Sequence, residues 1–144
     1  YLLRGSDTLH RHTGRISLEV ADARFEGSQP GAAAGQAIAS GGDFDDDGHP
    51  DILIGAPGDT APPSEGDASG SVYIVYGDGD AGSGVGTVDL APGAIRILAA
   101  PGVQQFGTSL GIAHGDGATR LDSFFVGAPG GLAPAVYFFR SLSY

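Results

Sequence analysis

Apolar residues in this 144-residue chain come in short runs broken by Gly, Pro, Asp and Ser. Ile52-Leu53-Ile54, Val72-Tyr73-Ile74-Val75-Tyr76, Ile95-Arg96-Ile97-Leu98 and Phe124-Phe125-Val126 are rich in β-branched and aromatic side chains. Runs of this length between turn residues predict strands, and continuous apolar ones suit sheets covered on both faces. Strands are expected at 1–4, 16–20, 23–25, 35–41, 51–55, 72–76, 88–90 and 95–98, with a Pro/Gly/Asp/Ser loop over 56–70 and a turn over 77–86. No helical period extends over ten or more residues. The pattern is that of an all-β protein.

The pattern also repeats. The shift that carries Tyr1 to Tyr73 brings Tyr1-Leu2-Leu3-Arg4-Gly5 onto Tyr73-Ile74-Val75-Tyr76-Gly77, and Arg24-Phe25 onto Arg96-Ile97. The same shift brings Gly35-Gln36-Ala37-Ile38 onto Gly107-Thr108-Ser109-Leu110, and Ile52-Leu53-Ile54-Gly55-Ala56-Pro57 onto Phe124-Phe125-Val126-Gly127-Ala128-Pro129. Ser71-Val72-Tyr73-Ile74-Val75 resembles Ala135-Val136-Tyr137-Phe138-Phe139, with a loop eight residues shorter in the second copy. A fixed period of this length marks stacked or radially arranged units. The chain therefore reads as one segment, 1–144, built of repeat units at approximately 1–72 and 73–144, each with four short strands.

Composition sharpens this picture. The 26 glycines and 9 prolines fit a loop-rich β fold. The net charge is −10, all seven basic residues are Arg, and Asp outnumbers Glu by 14 to 3. Such a surface repels phosphate backbones and anionic lipid, so neither nucleic acid nor membrane insertion is expected. No apolar run approaches the length of a membrane span, roughly 18 residues or more. Without Cys there is no disulfide or thiol chemistry. Without Met, Tyr1 is not a natural start, and the chain reads as a processed product or an excised piece.

The strongest chemical signal is Asp43-Phe44-Asp45-Asp46-Asp47-Gly48-His49-Pro50-Asp51. Like charges packed this tightly call for a cation in their midst. Hard carboxylate oxygens on a tight turn, with no sulfur ligands, favour Ca²⁺. An EF-hand would need a bidentate Glu at its twelfth position, where this chain has Ile54, and flanking helices that the pattern lacks. The competing reading is a solvated acidic turn without metal.

These features together resemble the FG-GAP repeat of integrin α-subunit β-propellers and their bacterial and enzyme-associated relatives. Phe106-Gly107 stands where that family has Phe-Gly, and Gly55-Ala56-Pro57 and Gly127-Ala128-Pro129 stand where it has Gly-Ala-Pro. Asp43-x-Asp45-x-Asp47-Gly48-x-x-Asp51 matches its calcium loop. Ala34-Gly35 replaces Phe-Gly in the first copy. The resemblance implies β-propeller blades of four-stranded antiparallel sheets, about two of them, as a partial propeller or one part of an assembled ring. In the calcium loop, Asp43, Asp45 and Asp47 are expected to supply carboxylates, His49 its backbone carbonyl, and Asp51 to close the site. Gly48 would take the positive φ of the sharp turn. In the sister loop the corresponding positions are Gly115, Gly117, Thr119 and Ser123, so no metal is expected there. Arg120 could pair with Asp116 or Asp122 in its place.

Other candidates carry less. Gly107-Thr108-Ser109-Leu110-Gly111 matches a G-x-S-x-G nucleophile elbow, but no helix is expected after it, as that elbow requires. His10 and His12 form an H-x-H pair without a third metal ligand, and His114 has no evident partner. Tyr73, Tyr76, Tyr137, Phe138 and Phe139 suit packing better than a carbohydrate-stacking surface. The acidic 56–70 loop, with Asp59, Glu65 and Asp67, is the better place for contact with a partner.

The expectation is thus a non-catalytic calcium-binding module for extracellular adhesion or protein/ligand interaction, its ligand a protein or a carbohydrate. A non-catalytic accessory segment of a secreted hydrolase or lyase, or a purely structural piece, is the alternative. About two blades do not close a ring. A longer propeller or a homo-oligomer would complete it.

Overall fold

The apolar runs at 52–54, 72–75, 95–98 and 124–126 become strands, and in the first two period-2 alternation sends side chains into two different cores. In the computed structural model the described residues are 1–3, 13–60, 69–77, 79, 86–115 and 122–140. Strand β1 is Ala23–Glu26, β2 is Ala37–Ser40, β3 is Ile52–Thr60 and β4 is Ser69–Val75. Gly86–Asp89 (β5) leads into one helical turn, α1 (Leu90–Gly93), and then Ile95–Leu98 (β6). Val103–Gln104 (β7), Ser109–Ala113 (β8), Ser123–Ala128 (β9), Gly130–Gly131 (β10) and Ala135–Arg140 (β11) follow.

The first sheet is four-stranded and antiparallel, in the order β2-β3-β4-β6, and the second has the order β8-β9-β11. Their registers repeat the sequence shift. Ile38 faces Ile54 and Ala37 faces Gly55 in the first sheet; Leu110 faces Val126 and Ser109 faces Gly127 in the second. A parallel ladder joins β1 to β5, with Phe25 opposite Val88. Leu2 bridges Ala23 antiparallel, the only described pairing of the expected first strand.

Leu53, Val72 and Ile74 of the first sheet meet Phe124, Val126 and Ala128 of the second, with Phe44, Ala99 and Phe106 filling the same core. Phe124 stacks on Phe139 at 5.0 Å, and Phe106 meets Tyr137 edge-on at 5.6 Å. The opposite face of the first sheet sends Ile54, Ala56 and Tyr73 into a second core with Ala32 and Leu90. Backbones touch between the sheets as well: a β-carbon on Gly55 would overlap the Gly107 carbonyl oxygen. The Gly of Phe-Gly in one repeat therefore abuts the Gly of Gly-Ala-Pro in the other, which is the physical reason for both glycines.

The strands differ from expectation in three places. The strand expected at 16–20 is a 3₁₀ turn, Leu18–Val20, because the Ser17 hydroxyl accepts from the Glu19 N–H at 3.2 Å and caps it. Its repeat partner behaves alike: the strand expected at 88–90 ends at Asp89, whose carboxylate accepts from the Ala91 N–H at 3.0 Å. The strand expected at 51–55 does not stop there. It runs on through Gly55-Ala56-Pro57 to Thr60, which pairs with Ser69 beyond a register shift. Pro57 sits within that irregularity, where its missing N–H interrupts no ladder bond.

Candidate metal centre

The acidic loop is the β2–β3 connection. Its ends are tied by the Gly41 N–H donating to the Asp51 carbonyl (3.3 Å) and the Asp51 N–H to that of Gly42 (2.6 Å). Gly48 has φ +88, as the turn demands. Within the turn, carboxylates gather backbone N–H groups. Asp43 accepts from Asp47 (3.2 Å) and Gly48 (2.8 Å), and Asp45 accepts from Asp47 (3.3 Å). Asp47 turns to the His49 N–H at 2.7 Å.

One oxygen from each of Asp43, Asp45 and Asp51 lies within 4.8 Å of the others. Asp51 is fully buried and accepts from the Phe44 N–H at 2.7 Å and the Gly77 N–H at 2.9 Å. Burial pushes the Asp51 carboxyl above its ordinary range. The Phe44 and Gly77 bonds pull it down, and the Asp45 and Asp43 charges push it up again. Among the described residues no Arg or His neutralises any of the three. A buried carboxylate beside two others, with lone pairs left over, fits an oxygen-seeking divalent cation. The Asp47 carboxylate stands apart from this group of three. The exposed His49 ring packs over Gly79, where a β-carbon would overlap it.

The geometry assembled here is a strand, an oxygen-rich loop, a second strand through Gly-Ala-Pro and a third strand. The family model of the FG-GAP repeat matches residues 34–75, which take in all of it. The match spans less than half of the chain. No solved structure matches the chain. FG-GAP repeats form propeller blades, and the four-stranded β2-β3-β4-β6 sheet is such a blade. The second sheet follows the same register in the second repeat, with three strands among the described residues.

The remaining candidates fall out as follows. Ser109 opens strand β8, and Leu110–Ala113 after it are extended, so the G-x-S-x-G stretch is not a strand-to-helix elbow. His10, His12, Glu65, Asp67, Asp116 and Arg120 lie outside the described residues. His114, expected to lack a partner, has Nδ1 3.3 Å from Asp122. Asp59, expected on an exposed loop, is buried, because β3 carries it past Pro57 and into the sheet. Its carboxylate accepts from Tyr73 (2.7 Å), Ser28 (2.8 Å) and Gln29 (2.9 Å) and pairs with Arg96 at 2.7 Å. The alternation of β4 marks Tyr73 as a core residue, but no sequence pattern pairs it with Asp59, since the bulge sets that register. Nor does any motif mark Asp122, which corresponds to Pro50 in the first repeat and bonds to the Asp43 N–H at 3.0 Å.

Proposed function

We propose that this chain is a calcium-binding FG-GAP propeller module for extracellular adhesion or for binding a protein or carbohydrate ligand. The convergence of Asp43, Asp45 and the buried Asp51 carries the reading. These three would hold the ion by side-chain oxygens, with Asp47 and the His49 carbonyl closing the loop around it. The ion would supply charge neutralisation and hold the turn in shape; it has no reaction to perform. The module itself is non-catalytic in this reading, and recognition lies on loops of the propeller. Extracellular calcium is plentiful, which suits a loop of this kind.

The outward face of the second sheet supports a further partner. Phe125, Val136 and Phe138 are 40%, 70% and 52% exposed, and they correspond to Leu53, Val72 and Ile74, which the second sheet buries in the first. Another blade, from a longer propeller or from a second copy, would cover this face in the same manner.

Calorimetric titration with Ca²⁺ tests the reading. One ion per chain is expected, because the sister loop has Gly115, Gly117, Thr119 and Ser123 at the positions of Asp43, Asp45, Asp47 and Asp51. Asp51→Asn should weaken binding at least tenfold, with Asp46→Asn, outside the group of three, as the milder comparison. Saturation at about 100 times Kd should raise the unfolding free energy by about 2.7 kcal/mol. An absence of binding at millimolar Ca²⁺ would remove the calcium reading, and two ions per chain would remove the emptied-loop reading.

A further inference from the structure

The Asp43–Asp51 loop meets the second sheet at consecutive residues. A β-carbon on Gly42 would stand 3.3 Å from the Ile112 side chain of β8. The Asp43 N–H donates to Asp122 Oδ2 at 3.0 Å. The Phe44 ring lies edge-on to Phe124 of β9, centroids 5.1 Å apart and planes at 70°. Asp122 immediately precedes β9 and has a side chain only 14% exposed. Its Oδ1 accepts from the Gly115 N–H at 2.9 Å, and its Oδ2 also lies 3.3 Å from His114 Nδ1. Its two oxygens therefore span two loops.

The same stretch is gripped from the metal side. The carboxylate of Asp43 belongs to the group of three, and the Phe44 N–H is held by Asp51. We infer that Asp122 is a positioning residue for the calcium loop, and that the ion couples the two sheets rather than pinning one sheet alone. The inference rests on the calcium reading above. Three converging carboxylates push a loop open, and a backbone tether at Asp43 holds it closed without adding a ligand. Less of the binding free energy is then spent on ordering the loop, so affinity rises. Coupling is reciprocal: an ion that fixes Asp43 and Asp51 also fixes Phe44 against Phe124 and strengthens docking of the second sheet. The emptied repeat thus contributes a carboxylate to the filled one, from a position where the first repeat has Pro50.

Titration of the whole chain with Ca²⁺, alongside Asp122→Asn and Asp122→Ala, tests this. Amide hydrogen exchange over residues 109–113 and 123–128, with and without Ca²⁺, is followed in parallel. The expected result is a Kd raised about fivefold or more in both variants, with unchanged far-ultraviolet circular dichroism. In the unsubstituted chain Ca²⁺ should slow exchange in β8 and β9, and this slowing should shrink in the variants. Should Asp122→Ala lose its fold, the isosteric Asp122→Asn and the exchange data on the unsubstituted chain decide. Unchanged Kd in a folded variant, or protection confined to residues 41–51, would overturn the inference while leaving the calcium reading in place. No Ca²⁺ binding by the unsubstituted chain would overturn both.

Discussion

Single residues in this molecule are held by pairings that span strands. Asp59 is the clearest, a buried carboxylate joined to Tyr73, Ser28, Gln29 and Arg96. Arg96 also donates from Nε to Ser71 Oγ at 3.1 Å and lies 5.8 Å from the centroid of the Tyr73 ring. Removing one member of a buried pair leaves the other charge uncompensated, which costs about 3–5 kcal/mol. Arg96 keeps a quarter of its side chain in solvent, so Arg96→Met should cost toward the lower end, about 3 kcal/mol, in urea unfolding. Burial pushes Asp59 up, but Tyr73, Ser28 and Arg96 more than offset it, and its folded pKa lies below the ordinary 3.8. A carboxylate so depressed contributes stability in full above its unfolded pKa and loses it as pH falls through the folded one. The stability advantage of the unsubstituted chain over Asp59→Asn should therefore hold at pH 5 and above (about one unit over the unfolded pKa) and shrink below about pH 4. A gap that widens on acidification would contradict the assignment.

At the scale of elements, the Gly-Ala-Pro stretch is where sequence and structure inform each other most. As sequence it looks like the start of a loop, since Pro ends most strands. In the fold it is mid-strand, and its Gly makes room for the Phe-Gly turn of the following repeat. Gly107 has φ +92, and a β-carbon there would come 2.6 Å from the Ser71 carbonyl oxygen. Gly55→Ala would drive a methyl into the Gly107 carbonyl, and backbone cannot swing aside as a side chain can. Overpacking of this kind costs about 1–3 kcal/mol. Thermal unfolding of Gly55→Ala should show the upper part of that range, whereas Gly111→Ala, with nothing within 4 Å of its β-carbon, should change little. Equal effects at the two sites would deny the backbone contact its role. The capped turns at Ser17 and Asp89 make the same point locally. At equivalent positions of the two repeats, a short polar side chain draws the backbone out of an extended run.

For the whole molecule, the two sheets and their repeated register explain which surfaces are finished and which are not. The first sheet is covered on both faces by the two cores. The second buries Phe124, Val126 and Ala128 against it and leaves Phe125, Val136 and Phe138 in solvent. Exposed apolar faces of this kind mark association surfaces. Light scattering on the isolated chain should show concentration-dependent association that Phe125→Ser with Phe138→Ser abolishes without loss of Ca²⁺ binding. A chain that stays monomeric at about 100 µM, a concentration at which a Kd tighter than that (more than about 5.5 kcal/mol) would show, would argue that the face serves only a longer propeller.

Much of this was legible in the residues alone. The strands at 95–98 and around 52 and 72, the internal repeat and the acidic loop all follow from local runs, periodic spacing and charge, and the resemblance to FG-GAP repeats rests on the motifs among them. These depend on neighbours in sequence, which a linear reading can see. Tertiary structure decided the rest. It withdrew Asp59 into the core, set the Asp47 carboxylate apart from Asp43, Asp45 and Asp51, and brought Asp122 to Asp43 across 79 positions. Those outcomes hang on a bulge, on side-chain direction within a turn and on the packing of one sheet against another. None of these leaves a pattern along the chain, because each is settled by which backbone groups meet only after the strands have paired.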